Sequence, residues 1–161
     1  MKRLIPSLLL LFLFMAASAC GKPELEMMTS LEFSKGGYDA HDHQIYIDAD
    51  NKSIKYGYSE LGSLPLDIHE TAQDELEPGQ EIKEIVLTSE EWDRLLEALT
   101  ALSIEQWDDS YHDLDIMDGI QWRLTIQFPE DQEMRKGGSN DFPPNWDEFL
   151  DVLEKYTGET L

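Results

Sequence analysis

The sequence predicts a single α+β domain, a mostly antiparallel sheet packed against two main helices. Period-two apolar alternation predicts the strands, most clearly at Ile120, Trp122, Leu124, Ile126 and Phe128, where Gln121, Arg123, Thr125 and Gln127 fill the gaps. Apolar residues at helical spacing, Trp92, Leu95, Leu96, Leu99 and Leu102 and then Trp146, Phe149, Leu150 and Leu153, predict the helices. The elements come in clusters without a regular βαβ alternation, which favours an α+β over a doubly wound arrangement.

In chain order, Leu31 and Phe33 alternate with polar neighbours, Gly36-Gly37 is expected to break that run, and 44–48 alternates again before the turn residues Asp50-Asn51 and a third strand at 53–58. The segment 61–79, with Pro65, Pro78 and the acidic patch 74–77, is poorly periodic and reads as a loop or a short helix. A strand follows at 81–87. Thr88 with Glu91 three residues on forms a capping box that starts the first helix, and Ser103 with Gln106 repeats the pattern before Trp107. After the strand ending at Phe128, 129–131 make a turn and 132–136 a return strand that Gly137-Gly138 is expected to end. Pro143-Pro144 lead into the last helix as residues tolerated in a first turn, and Gly158 stops it.

The amino terminus carries an address. A basic start, Lys2-Arg3, an apolar stretch over 4–15 broken only by Pro6 and Ser7, and small residues before Cys20 form a secretory leader. The stretch is shorter than the roughly 20 residues of a spanning helix. Ala17-Ser18-Ala19-Cys20 resembles the lipobox of bacterial lipoproteins. That resemblance implies diacylglyceryl transfer to the Cys20 thiol, cleavage before it, and acylation of the new amino terminus. The expected organisation is a signal peptide over 1–19, a lipidated tether over 20–28 and a globular domain over 29–161, membrane-anchored on the extracytoplasmic face of the cell envelope. Cys20 is the only cysteine, so no disulfide staples the fold and an apolar core must stabilise it.

Charge narrows the partners. Removing Lys2 and Arg3 from the 12 basic side chains, while all 34 acidic ones stay, moves the formal charge from -22 to -24. Such a chain does not suit phosphate backbones, so no nucleic acid is expected, and it has no electrostatic hold on anionic lipid heads. The lipid on Cys20 must supply the membrane attachment. A cationic protein or a divalent cation is the partner such a surface would attract.

A looser likeness covers roughly half of the mature chain. Leu87-Thr88-Ser89-Glu90-Glu91-Trp92-Asp93-Arg94-Leu95, Trp107 near Tyr111, Asp118-Gly119 before Trp122 and Leu124, and Gly138-Ser139-Asn140 running through Phe142-Pro143 to Asn145-Trp146 resemble a family of uncharacterised secreted and lipoprotein domains. The resemblance supports the fold and implies no catalytic residues. The last of these motifs reads as a structural corner, with a binding lip of exposed N–H groups as its functional alternative.

Among chemistry-bearing residues, His41-Asp42-His43 is the most ligand-like cluster. His41 and His43 point the same way on a strand, imidazole binds zinc, copper or nickel, and Asp39, His69 or His112 would supply a third ligand. Residues 48–52 only superficially resemble a calcium loop, since Lys52 stands at a ligand position and Ser59 where the closing glutamate belongs. Asp108, Asp109, Asp113, Asp115 and Asp118 crowd a connecting segment, where hydration or calcium would relieve their repulsion. There is no Gly-x-Ser-x-Gly elbow, His-Glu-x-x-His pair or phosphate loop, and no catalytic centre or cofactor is expected. Trp92, Trp122 and Trp146 read as core and Trp107, beside acidic residues, as exposed. The expected function is a lipid-anchored binding or envelope-interaction module. The alternative is a metal-binding or hydrolytic protein using His41, His43 and nearby carboxylates.

Overall fold

The computed structural model describes residues 24–38, 40–61, 63, 66–116 and 118–161; the leader, Cys20 and Asp39 lie outside the described residues. The strands are β1 (Ser30–Gly37), β2 (Ala40–Asp48), β3 (Ser53–Ser59), β4 (Gln80–Val86), β5 (Ser110–His112), β6 (Ile120–Gln127) and β7 (Glu133–Ser139), and the helices are α1 (Ser89–Ala101) and α2 (Trp146–Thr157). All seven strands join one sheet in the order β4-β3-β2-β1-β6-β7-β5. Every pairing is antiparallel except β5 with β7. The fold is therefore α+β with a mostly antiparallel sheet carrying two helices.

Register sorts the inner face of the sheet into rows. Met134, Ile126, Leu31, Ile47, Ile54 and Ile85 stand side by side, followed by Lys136, Leu124, Phe33, Ile45, Tyr56 and Lys83. Helix stripes cover these rows: Trp92, Leu95 and Leu99 from α1, and Trp146, Phe149 and Leu153 from α2, join one buried cluster with them. Phe33, fully buried, meets Trp146 and Phe149 edge-on at 5.9 and 5.1 Å between centroids, geometry that adds to simple area burial. The α1 capping box forms as its spacing predicts: Glu91 N–H donates to Thr88 Oγ1 at 3.2 Å, and Thr88 N–H to Glu91 Oε2 at 2.9 Å. At the other end of α2, Gly158 takes φ +74° and its N–H closes on Glu154 O.

Several expectations are corrected. Of the two glycine pairs, Gly36-Gly37 does close β1, which ends at Gly37, whereas β7 runs through Gly138 to Ser139. The reason is close approach. A Cβ on Gly138 would overlap the indole of Trp122, whose Nε1 donates to Asp141 O at 2.9 Å. Ser103 forms no capping box; it takes φ 53°, and the following turn closes on backbone bonds alone. Pro143 and Pro144 lie before the first turn of α2, separated from it by Asn145 at φ 60°. Trp107 is buried, packing edge-on against Phe149 at 5.4 Å. Buried Lys136 holds that segment in place, donating to Trp107 O at 2.6 Å and Asp109 Oδ1 at 2.7 Å. This brings Ser110–His112, which the sequence suggests is a connection, alongside β7 as an edge strand. Packing also begins before Thr29: Leu25 and Met28, within the expected tether, are buried in the core around a short 3-10 turn.

The described residues between Ser59 and Gln80 form a strap over the outer face of β2 and β3, where Leu66 and Ile68 lie against Gly57. Leu66 and Ile68 are buried there, apart from the main core. The Gln44 side chain pairs with the strap as a strand would, donating to Leu66 O and accepting from Ile68 N–H, and Lys55 Nζ donates to Ile68 O at 3.2 Å. Truncating Ile68 empties the contact beneath the strap. Ile68→Ala is expected to lower the urea unfolding free energy by about 2–4 kcal/mol and to open 60–79 to limited proteolysis; unchanged stability and cleavage would rule out the strap as a packed element.

Candidate functional site

The sheet has a near end, marked by Ser30, Asp48, Ser53, Val86, Gln127 and Glu133, and a far end at Gly37, Ala40, Ser59, Gln80, Ile120 and Ser139. Eight residues of β1 put them roughly 24 Å apart. The chain approaches from its leader side at the near end, where Thr29 N–H donates to Gln127 O and Ala49 N–H to Thr29 O.

At the far end the inner rows turn polar. Trp122, Lys35, His43, Tyr58 and Glu81 stand side by side across β6, β1, β2, β3 and β4. His43 is buried and its Nδ1 lies 3.0 Å from the Tyr56 hydroxyl. Burial pushes the Tyr56 hydroxyl well above its ordinary pKa, helped by the charges of Glu159 and Glu81, and this hydroxyl shares its hydrogen bond with His43 Nδ1. Burial also lowers the His43 pKa, neighbouring Lys35 and His41 add to this, and Glu159 and Glu154 oppose it. Lys35 is likewise lowered by burial, against the pull of Glu154. Lys83 is raised by its bonds to Glu159 and Glu81, which tie the end of the chain to β4.

His41 and His43 do share a face, as their spacing predicts, but each offers Nδ1 to a tyrosine. His41 Nδ1 accepts from Leu61 N–H at 3.1 Å and lies 3.0 Å from the Tyr58 hydroxyl. The Tyr58 ring neighbours both imidazoles, at 5.4 and 5.5 Å. The suggested third ligands go elsewhere. His69 lies on the outer face, edge-on to Tyr46 and 3.8 Å from Glu32 Oε1, and His112 meets Ser110 Oγ on β5. No three His, Cys, Asp or Glu side chains converge as metal ligands among the described residues. In the 48–52 turn the Asp48 carboxylate is occupied by the Asn51 N–H and side-chain amide, which lower its pKa.

On the outer face the strap leaves β1, β6 and β7 open. A recess of about 440 Å³ lies there with Ser34, Gly36, Asp42, Gln121 and Arg123 in its lining. A second, of about 500 Å³, continues toward the near end past Glu32, Thr125 and Arg135, and shares Ser34 and Arg123 with the first. Arg123 was visible in the sequence only as one polar residue among the outward positions of its strand. That it stands beside Ser34, and two strands from Asp42's β2, follows from a register no local pattern contains.

The far-end loops carry exposed apolar side chains: Tyr38, Leu61, Leu114 and Ile116 are 76, 51, 90 and 46 % exposed. These loops adjoin. Leu61 is bonded to His41, Gly37 lies against the Gly119 carbonyl, and Asn140 Nδ2 donates to Ile116 O. Exposed Asp42, Glu60, Asp115 and Asp118 stand among them.

The His43 environment generates a pH dependence. Its folded-state pKa lies below the ordinary 6.5, so on acidification the unfolded chain takes up the proton first and the folded state loses stability as pH falls below that value. Relief of carboxylate repulsion acts in the opposite direction but is common to wild type and variant. Relative to His43→Phe, wild type is expected to lose stability between about pH 7.5 and about pH 5.5, measured by urea unfolding; parallel profiles would exclude the effect. Comparison of the chain with family models, curated proteins and solved structures returns no match.

Proposed function

We propose that this chain is a lipid-anchored extracytoplasmic module that docks a cationic protein at the far end of its sheet. The observation supporting this reading most directly is the placement of Tyr38, Leu61, Leu114 and Ile116 on adjoining loops opposite the end where the leader side of the chain arrives. Single exposed apolar residues are ordinary on protein surfaces, whereas four on the loops of one sheet end, interspersed with carboxylates, suit a contact surface. Its carboxylate rim, Glu60, Asp115 and Asp118, selects a partner whose rim is basic, speeding encounter and rejecting acidic proteins. A lipid on Cys20 would hold the near end at the bilayer and turn this surface outward. The short segment between Cys20 and buried Leu25 leaves the domain little room to wander.

Two measurements test the two halves of the reading. A fatty-acid analogue should label the wild-type chain, and Cys20→Ala should release it from membranes; an unlabelled chain, or a variant still membrane-bound, refutes the anchor. A photo-crosslinker at Leu114 in cells should give an adduct with a basic protein that a crosslinker at Lys52, in a near-end turn, does not give. Leu114→Asp with Ile116→Asp should reduce that yield at least about tenfold. Equal yields from both positions, or an acidic protein in the adduct, would refute the docking surface.

A further inference from the structure

The outer-face recess holds two opposite charges that do not neutralise each other. Of the three arginines among the described residues, Arg94 is paired with Glu90 and Arg135 with Glu133. Arg123, exposed on the middle of β6, has no hydrogen bond or ion pair with any described residue. The side chain of Asp42, exposed on β2 and lining the same recess, has none either. In a chain with 34 acidic residues, an arginine left without a carboxylate stands out.

The surrounding residues keep the two charges apart yet open to the same space. Arg123 pairs with Ser34 on β1, Ser34 with Gln44 on β2, and Asp42 stands two residues further along β2 on that face. Strand spacing then sets their Cα atoms roughly 12 Å apart. Gly36 lies between, and a Cβ there would overlap the Asp42 carboxylate, so the glycine keeps the room that this carboxylate occupies. Gln121 gives its amide N–H to Ser139 Oγ at 2.7 Å, leaving its carbonyl to accept from a ligand, and the Ser34 hydroxyl adds a second short polar group to the floor. The volume, about 440 Å³, lies within the usual range of small-molecule sites.

A ligand complementary to this arrangement carries a carboxylate and an ammonium group on one short frame. A simple anion would meet Asp42 and the acidic body, and a simple cation would leave Arg123 unpaired, whereas a molecule carrying both charges on one short frame can satisfy both groups at once. We propose that this recess binds a small zwitterion, an α-amino acid or a dipeptide, with its carboxylate on the Arg123 guanidinium and its ammonium group on Asp42. The guanidinium offers a carboxylate two parallel N–H bonds, which fixes the orientation as well as the affinity.

Ligand-observed NMR on the detergent-purified full chain, with a panel of α-amino acids and glycylglycine, tests this. At least one zwitterion should bind with Kd below about 1 mM. Its N-acetylated and its C-amidated forms should each bind at least about tenfold more weakly, as should the zwitterion itself to Arg123→Gln and to Asp42→Asn. Both variants alter exposed side chains without partners, and unchanged melting curves confirm that they fold; Gly36→Ala, which crowds Asp42, supplies a third arm. Leu114→Asp should leave zwitterion binding intact, which separates this site from the docking surface. No binding up to about 10 mM, equal binding of the blocked forms, or retention by folded Arg123→Gln would overturn the assignment.

Discussion

The fold depends on β1 pairing along its full length with β6. Residues 30–37 and 120–127 are distant in the chain, yet their ladder joins the hairpins on the amino-terminal side to the β6–β7 hairpin. Because side chains alternate with period two, the register of this one ladder decides which residues face the helices; a slip of one would turn Leu31 and Phe33 to water and Glu32 and Ser34 inward. Phe33 makes that slip costly, since it is fully buried beneath Trp146 and Phe149 from the last helix. The same register puts Ser34 beside Arg123 on the other face and Lys35 beside Trp122 on this one. Core, recess and polar inner row are thus set by a single strand pairing.

Patterns confined to one element were legible in the sequence. Alternation through Phe128, the helical stripes at Trp92 and Trp146, the Thr88 capping box and the Gly158 stop all reappear in the structure, because each is decided within a few residues. Features that needed a distant partner were not legible. Gly138 read as a strand end because nothing local reveals that Trp122 presses against it. Trp107 read as exposed from its acidic neighbours, whereas Lys136, 29 residues away, draws its carbonyl into the core. The strap was missed for the same reason: Leu66 and Ile68 alternate with polar Asp67 but too briefly, beside Pro65, to mark a strand, and their burial depends on Gln44 offering an amide where a neighbouring strand would offer backbone. Of the site, the shared face of His41 and His43 was foreseeable, but their tyrosine partners and the Asp42–Arg123 recess were not.

The inner face is graded along the strands, from an apolar end to a polar one. Its first rows are filled by isoleucine, leucine and phenylalanine, which the helices cover. The last row substitutes Lys35, His43, Tyr58 and Glu81, where α2 runs out and Glu154 and Glu159 replace its apolar stripe. Polar groups there are satisfied by one another rather than by packing, as in the His43–Tyr56 and Lys83–Glu159 bonds. Such bonds depend on geometry and protonation, so this end responds to pH and contacts in a way that a sealed apolar layer cannot.

Charge placement completes the division between the two ends. Several lysines of this acidic chain already hold parts of the fold: Lys55 the strap, Lys83 the chain end, Lys136 the segment before β5, and Lys52 the start of α1. Tied up in these contacts, the four lysines lie apart rather than in one basic patch for anionic lipid heads, and the carboxylates left outside are repelled by such heads within a Debye length of about 8 Å. On the proposed reading, the anchor must therefore be the lipid itself. On that reading the repulsion would lift the body off the bilayer and keep the far end, with its apolar loops, turned toward whatever approaches from outside.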